Sequence, residues 1–141
     1  MRSLRVGADL VCLVLLTACG PVSSGAASST FPQHVGFGDS GPAGLLAGRL
    51  VSDAGCLMLE VGDPGGRRTL LVWPDSYRPV PDGQGVQGDA VVIHVGDEVV
   101  LGGGEYTDEA WVSERLVGPA ISAECRTGQY GLVTSIVSTT R

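Results

Sequence analysis

Gly55-Cys56-Leu57-Met58-Leu59-Glu60-Val61-Gly62-Asp63-Pro64-Gly65-Gly66-Arg67-Arg68-Thr69-Leu70-Leu71-Val72-Trp73-Pro74 is the stretch on which the fold turns. Two short apolar runs, 56–61 and 69–73, flank Asp63-Pro64-Gly65-Gly66. Proline presets one turn dihedral and glycine admits positive φ, so the four residues predict a tight turn joining two strands. Outward from this hairpin the punctuation repeats. Further strands are expected over 46–52, 90–95, 98–101 and 130–137, each short and bounded by Gly, Pro or Asp. Val95-Gly96-Asp97-Glu98 reads as a second tight turn. Apolar and polar residues alternate only partly within 46–52 and 56–61, the pattern of a half-buried wall in a small barrel. One helix is expected over 107–116, with Thr107 as N-cap and Asp108 and Glu109 opposing the dipole in its first turn.

Three strands, a long Pro/Gly-rich loop over 74–88, and then a Gly-Asp turn into another strand predict an all-β domain. Its expected form is a small barrel of five or six strands, like the oligonucleotide/oligosaccharide-binding (OB) barrels, with a small β-sandwich as the alternative. The succession Gly55-Cys56-Leu57, Leu71-Val72-Trp73-Pro74, Val95-Gly96-Asp97, Leu101-Gly102-Gly103-Gly104 and Cys125 resembles a recurrent small secreted bacterial β-domain. That resemblance implies a fold and no activity.

The N-terminus carries an address. Arg2 and Arg5 precede an apolar run over 10–16, too short to span a bilayer core of ~30 Å as a helix. The run ends in Leu16-Thr17-Ala18-Cys19, which resembles the lipobox of bacterial lipoproteins. The resemblance implies removal of 1–18 as a signal peptide, diacylglycerol on the Cys19 thiol, and a mature chain held at the extracytoplasmic face of a membrane. More than one acyl chain makes such an anchor stable. An ordinary signal peptide cut after Ala18 is the alternative. Residues 19–42 are rich in Ser, Gly, Ala and Pro and read as a disordered tether with a root-mean-square reach of about 25 Å. Phe31, His34 and Phe37 interrupt it and are expected to dock loosely or not at all. The domain proper is then 43–141.

Without 1–18 the chain has seven arginines, no lysine and fourteen acidic residues, a formal charge of −7. Nucleic acid is thereby set aside as a partner, since polyanion binding needs clustered cations. Two cysteines remain in the exported domain, Cys56 and Cys125, and in an oxidising compartment they are expected to pair. Closing so long a loop contributes about 4 kcal/mol on the chain-entropy account. A redox or metal role would call for Cys-x-x-Cys or neighbouring histidines.

Catalytic, metal and cofactor sites are all assigned as none. The glycine run 102–104 lacks the Lys-Ser/Thr of a phosphate loop and reads instead as a bending strand or a place where backbones approach. His94 is expected in packing or at the surface. Tyr77 and Trp111, in loop-like contexts, are the candidates for contact with an envelope protein or glycan. The expectation is therefore a membrane-anchored, non-catalytic envelope module. The alternative is an enzyme acting on envelope polysaccharide through the acidic run of Asp97, Glu98, Glu105, Asp108, Glu109 and Glu114.

Overall fold

A computed structural model of the chain describes residues 28–141. The expected signal peptide and Cys19 lie outside the described residues. Twelve strands follow in order: β1 (Ser28–Ser29), β2 (Gln33–His34), β3 (Gly44–Asp53), β4 (Cys56–Val61), β5 (Arg67–Pro74), β6 (Arg78–Pro79), β7 (Gly85–Gly88), β8 (Val91–His94), β9 (Glu98–Tyr106), β10 (Leu116–Val117), β11 (Ala120–Ile121) and β12 (Tyr130–Thr140). One helix, α1 (Glu109–Ser113), separates β9 from β10. The expected hairpin is present as β4 and β5, closed by the Gly66 amide donating to the Asp63 carbonyl. The helix is shorter than expected, and its N-cap is Asp108, whose carboxylate accepts from the Trp111 amide at 3.0 Å. An aspartate one residue nearer the helix satisfies the orphan amide that Thr107 was expected to hold.

Five strands close on themselves. β3 pairs with β4, β4 with β5, β5 with β12, β12 with β9, and β9 returns to β3; only the β5–β12 pairing is parallel. Gly48 permits the closure. A Cβ there would meet the Glu60 carbonyl oxygen at 2.4 Å, so β3 swings past β4 only because position 48 carries no side chain. Gly103, at φ +154°, lies under Leu132 in the same way, with an imagined Cβ 2.1 Å from the Leu132 carbonyl oxygen. The glycine run is thus both a bend and a close approach of backbones.

The ring encloses Leu46, Leu50, Leu57, Leu59, Leu71, Val99, Leu101 and Val133. Residues 75–97, expected to include a long loop, instead form a second sheet, β6-β7-β8, whose Tyr77, Val86 and Ile93 extend this core. Beneath it Phe31 stacks on Trp73, with ring centroids 5.9 Å apart, and Tyr77 follows on the other side of Trp73 at 6.2 Å. Trp73 is fully buried, and its indole N–H has no partner among the described residues. The orphan donor costs ~1–3 kcal/mol. Burying an aromatic surface of ~150–250 Å² contributes roughly 4–6 kcal/mol, so the tryptophan remains favourable.

A second core lies outside the ring, which corrects the expectation of a half-buried wall. Cys56 and Met58 of β4, Leu70 and Val72 of β5, and Tyr130 and Leu132 of β12 point outward, yet all are buried. Val112 of α1, Ile121 of β11 and Cys125 cover them. Strands apolar on both faces need a layer on both faces.

The tether expected over 19–42 is likewise corrected from Ser28 onward. β1 pairs with β11, and β2 lies between β10 and the end of β5. His34 is buried, with both ring nitrogens 2.7 Å from a carbonyl oxygen, those of Val35 and Val133. Phe31 joins the inner core and Phe37 the outer one. Aromatic rings with a cavity to fill do not hang in solvent, and the Ser/Gly-rich composition around them concealed that.

Cys56 and Cys125 form a disulfide, with Cα atoms 5.5 Å apart, that fastens the outer layer to β4. Replacing both, Cys56→Ala with Cys125→Ala, is expected to cost ~2–5 kcal/mol, read as a fall of about 10 °C or more in melting temperature. An unchanged melting temperature would mean that packing alone holds the layer.

Candidate functional site

The residues expected to meet a partner are not available for it as a pair. Tyr77 is 2 % exposed. Its ring packs on Trp73 and over Gly88, and its hydroxyl donates to Asp89, which also accepts from the Ile136 amide. Burial, reinforced by that carboxylate, holds the Tyr77 phenol well above its ordinary range. Proximity to prolines and glycines made position 77 look like an open loop, but it begins the small sheet that seals one end of the ring.

Trp111 is half-buried on α1, and both faces of its indole are occupied. Tyr106 stacks on one at 4.4 Å, and the Arg115 guanidinium sits 3.4 Å from the ring centroid. Arg115 is held there by donating to the Trp111 carbonyl at 2.8 Å. The stack rigidifies the short helix and leaves no free aromatic face for a sugar ring.

The acidic run is dispersed among separate partners. Asp97 is buried and accepts from the His94 amide and the Thr139 hydroxyl. Glu98 pairs with Arg49. Glu105 accepts from Thr69 and pairs with Arg67. Asp108 caps α1, while Glu109 accepts from the Tyr130 hydroxyl at 2.7 Å and pairs with Arg126 at 3.3 Å. Asp97, Glu98, Glu105 and Glu109 each tie one element to another, while Asp108 only caps its own helix. Among the described residues no group of three or more His, Cys, Asp or Glu is arranged to hold a metal ion, and no helix is long and apolar enough to cross a membrane.

What the fold leaves open is the other end of the ring. There β3 and β4 part: β3 pairs with β4 from Arg49 to Asp53, whereas from Gly44 to Gly48 its sole neighbouring strand is β9. A cleft of about 310 Å³ fills the gap, with Leu46, Leu59 and Val61 as its apolar floor and Gly103 and Gly104 as a side-chain-free wall. Leu45 stands on its rim, 68 % exposed. Arg67 and Glu105 close the polar side. Glu105 is engaged at both oxygens, one by the Thr69 hydroxyl and one by Arg67 Nη1, each at 3.1 Å. Nη1 also reaches Gln129 at 3.4 Å. Among the described residues, Arg67 Nε and Nη2 have no acceptor, and the side chain is 49 % exposed.

A second cleft, of about 250 Å³, lies where His34 and Phe37 meet Pro74, Asp75 and Thr134. Both nitrogens of His34 are already turned to backbone carbonyls, so the imidazole has no free atom to offer there. Of the two clefts, the ring-end one combines apolar floor, free backbone and unspent donors. None of its residues was singled out from sequence, apart from the glycine run and Glu105.

Comparison with protein-family models, with curated proteins and with solved structures finds no match to this chain.

One titration reports on the outer layer. Burial and the Glu109 carboxylate push the Tyr130 phenol up to about 12 from its ordinary 10.0. The folded state therefore holds this proton more tightly than the unfolded state does. Its contribution to stability is complete below pH 10 and is lost as pH rises toward about 12. Tyr130→Phe is expected to flatten the fall of stability across that window, leaving the part due to Tyr77. Denaturant titrations at pH 9 and 11 measure it, and identical pH slopes in the two proteins would contradict the assignment.

Proposed function

We propose that the protein is a bacterial lipoprotein: a small OB-type barrel, anchored through lipid on Cys19 at the extracytoplasmic face of a membrane, that serves as a non-catalytic binding module. The anchor is supported by Arg2 and Arg5, the short apolar run, and Leu16-Thr17-Ala18-Cys19. The observation that carries the extracytoplasmic part is the Cys56–Cys125 disulfide, a bond between two fully buried sulfurs that needs an oxidising compartment to form and persist.

Support for the barrel type comes from connectivity. Numbered along the chain, the ring strands close in the order first, second, third, fifth, fourth, first, with the third and fifth parallel. That is the arrangement expected of a five-stranded Greek-key barrel of the OB kind. Barrels of this kind bind oligonucleotides and oligosaccharides across the face of their second and third strands. Here that face, on β4 and β5, lies under α1, β11 and Cys125. The acidic balance and the absence of lysine also weigh against nucleic acid. A protein or peptide partner in the envelope, met at the ring end, fits these facts better.

Distance fits as well. Nine chain steps lead from Cys19 to Ser28, the first described residue, and these span at most about 30 Å however they are arranged. The barrel would stay close to the lipid headgroups and meet partners in the membrane or beside it.

Labelling of cells with a radioactive fatty acid tests the anchor. The wild type is expected to incorporate label and to fractionate with membranes, and Cys19→Ala to lose both. Label persisting on Cys19→Ala would overturn the lipoprotein assignment and place the start of the mature chain elsewhere.

A further inference from the structure

We propose that the ring-end cleft binds the free C-terminal end of an extended, apolar peptide, which adds as a strand alongside the Gly44–Gly48 part of β3 and sets its carboxylate on Arg67. Three observations, independent of one another, converge there, on top of the non-catalytic binding role proposed above.

The first is a strand edge. From Gly44 to Gly48, β3 is paired on one side alone among the described strands, its pairing with β4 beginning at Arg49. Along the open side its backbone groups face the cleft instead of another strand. Proteins usually blunt such an edge with lysine, proline or a bulge. This one carries Gly44, Leu45, Leu46, Ala47 and Gly48, none of which does so. An extended chain laid beside the edge would complete its hydrogen bonds, as in recognition by strand addition.

The second is the shape and chemistry of the floor. Leu46, Leu59 and Val61 line a cleft of about 310 Å³, the lower end of the ~300–1,000 Å³ typical of ligand sites. It has room for one or two aliphatic side chains and none for a polymer lying across it. Leu45, the most exposed of the large apolar residues described, stands where the next ligand residue would pass.

The third is charge. Arg67 uses Nη1 for Glu105 and Gln129, which orients the guanidinium while leaving Nε and Nη2 free. Two neighbouring N–H groups in one plane match a carboxylate. Glu105 faces the same cleft, but Thr69 and Arg67 already occupy its two oxygens. It positions Arg67 and at the same time repels an anion to a modest degree. An internal peptide segment would lack the charge that Arg67 is free to meet, and this selects a chain terminus.

The test uses the full-length disulfide-bonded protein and a pentapeptide, Ser-Ala-Val-Ala-Leu, labelled with fluorescein at its N-terminus. Fluorescence anisotropy is expected to show saturable binding of the free acid, with the C-terminal amide about tenfold weaker or worse. Arg67→Gln should weaken the acid by a similar factor and leave the amide unaffected. Arg49→Gln, which breaks an equally exposed ion pair outside the cleft, should leave affinity unchanged. Leu45→Asp, at an exposed position on the rim, should weaken acid and amide alike without disturbing the core. Equal binding of acid and amide, or an Arg67→Gln protein that binds like wild type, would overturn the proposal. Octanoate displacing the peptide at equal concentration would overturn it too, since a fatty acid has no backbone to pair with β3. Mass spectrometry of the recovered peptide separates the two levels. An intact peptide that fails to bind refutes this site, whereas a cleaved one refutes the non-catalytic role on which it rests.

Discussion

A wall of three strands with apolar side chains on both faces is the constraint that organises this molecule. Leu57, Leu59, Leu71 and Trp73 point into the ring, and Cys56, Met58, Leu70 and Val72 point out of it. Closing the ring satisfies the first set and leaves the second in water. Each fully buried aliphatic side chain is worth ~1.5–3 kcal/mol, so leaving the outward set exposed would forfeit most of what a domain of this size has to spare. The chain resolves this by laying 107–125 over the wall and the N-terminal strap beside it. The disulfide then joins the covering segment to the strand it covers, at the point where two short elements have the least surface of their own to hold them.

Much of this order is inherited by the site. Because the cover occupies the outer wall, the outer face of β4 and β5 is spent internally. The small sheet β6-β7-β8 and the Phe31–Trp73–Tyr77 stack pack at one end of the ring, and the cleft lies at the opposite end. Gly103, where β9 passes close under Leu132, also belongs to the side-chain-free wall of the cleft. The cleft is a consequence of how the ring closes as much as a feature added to it.

The hairpin 56–74 was legible because its turn residues have a mechanism, and the six expected strands fall on β3, β4, β5, β8, β9 and β12. The disulfide was legible from two cysteines in a chain expected to be exported. The cover was not read, although its signal was present. Cys56-Leu57-Met58-Leu59 and Leu70-Leu71-Val72-Trp73 are continuous apolar runs, and continuity, as against alternation, marks strands buried on both faces. Tyr77 and Trp111 were misjudged for one shared reason. Composition identifies a loop but not what the loop lies upon, and an aromatic residue in a small domain is more valuable packed than displayed. The acidic run failed as a cluster because neighbours in sequence alternate across a strand or project around a helix, so Glu98 and Glu105, at opposite ends of β9, and Glu109 on α1 meet different partners. Arg67 carried no signal at all: its unspent donors depend on Thr69 and Gln129, and Gln129 lies 62 residues away in the chain.

The position of the strap bears on the proposed membrane anchor. His34 is held by carbonyls of its own strap and of β12, and Gln33 donates to the carbonyls of Pro74 and Tyr77, so β2 is fixed to the sealed end of the ring. The segment leading back toward Cys19 leaves from Ser28, which pairs with the cover through Ala120. Lipid on Cys19 would therefore pull on the cover and the sealed end, not on the β3–β4 gap. A tension applied there is borne by β1, by β2 and, through Cys125, by the disulfide to β4. If Cys19 carries lipid as proposed, the anchor and the open cleft would load different parts of the ring, because β1 and β2 lie away from the β3–β4 gap.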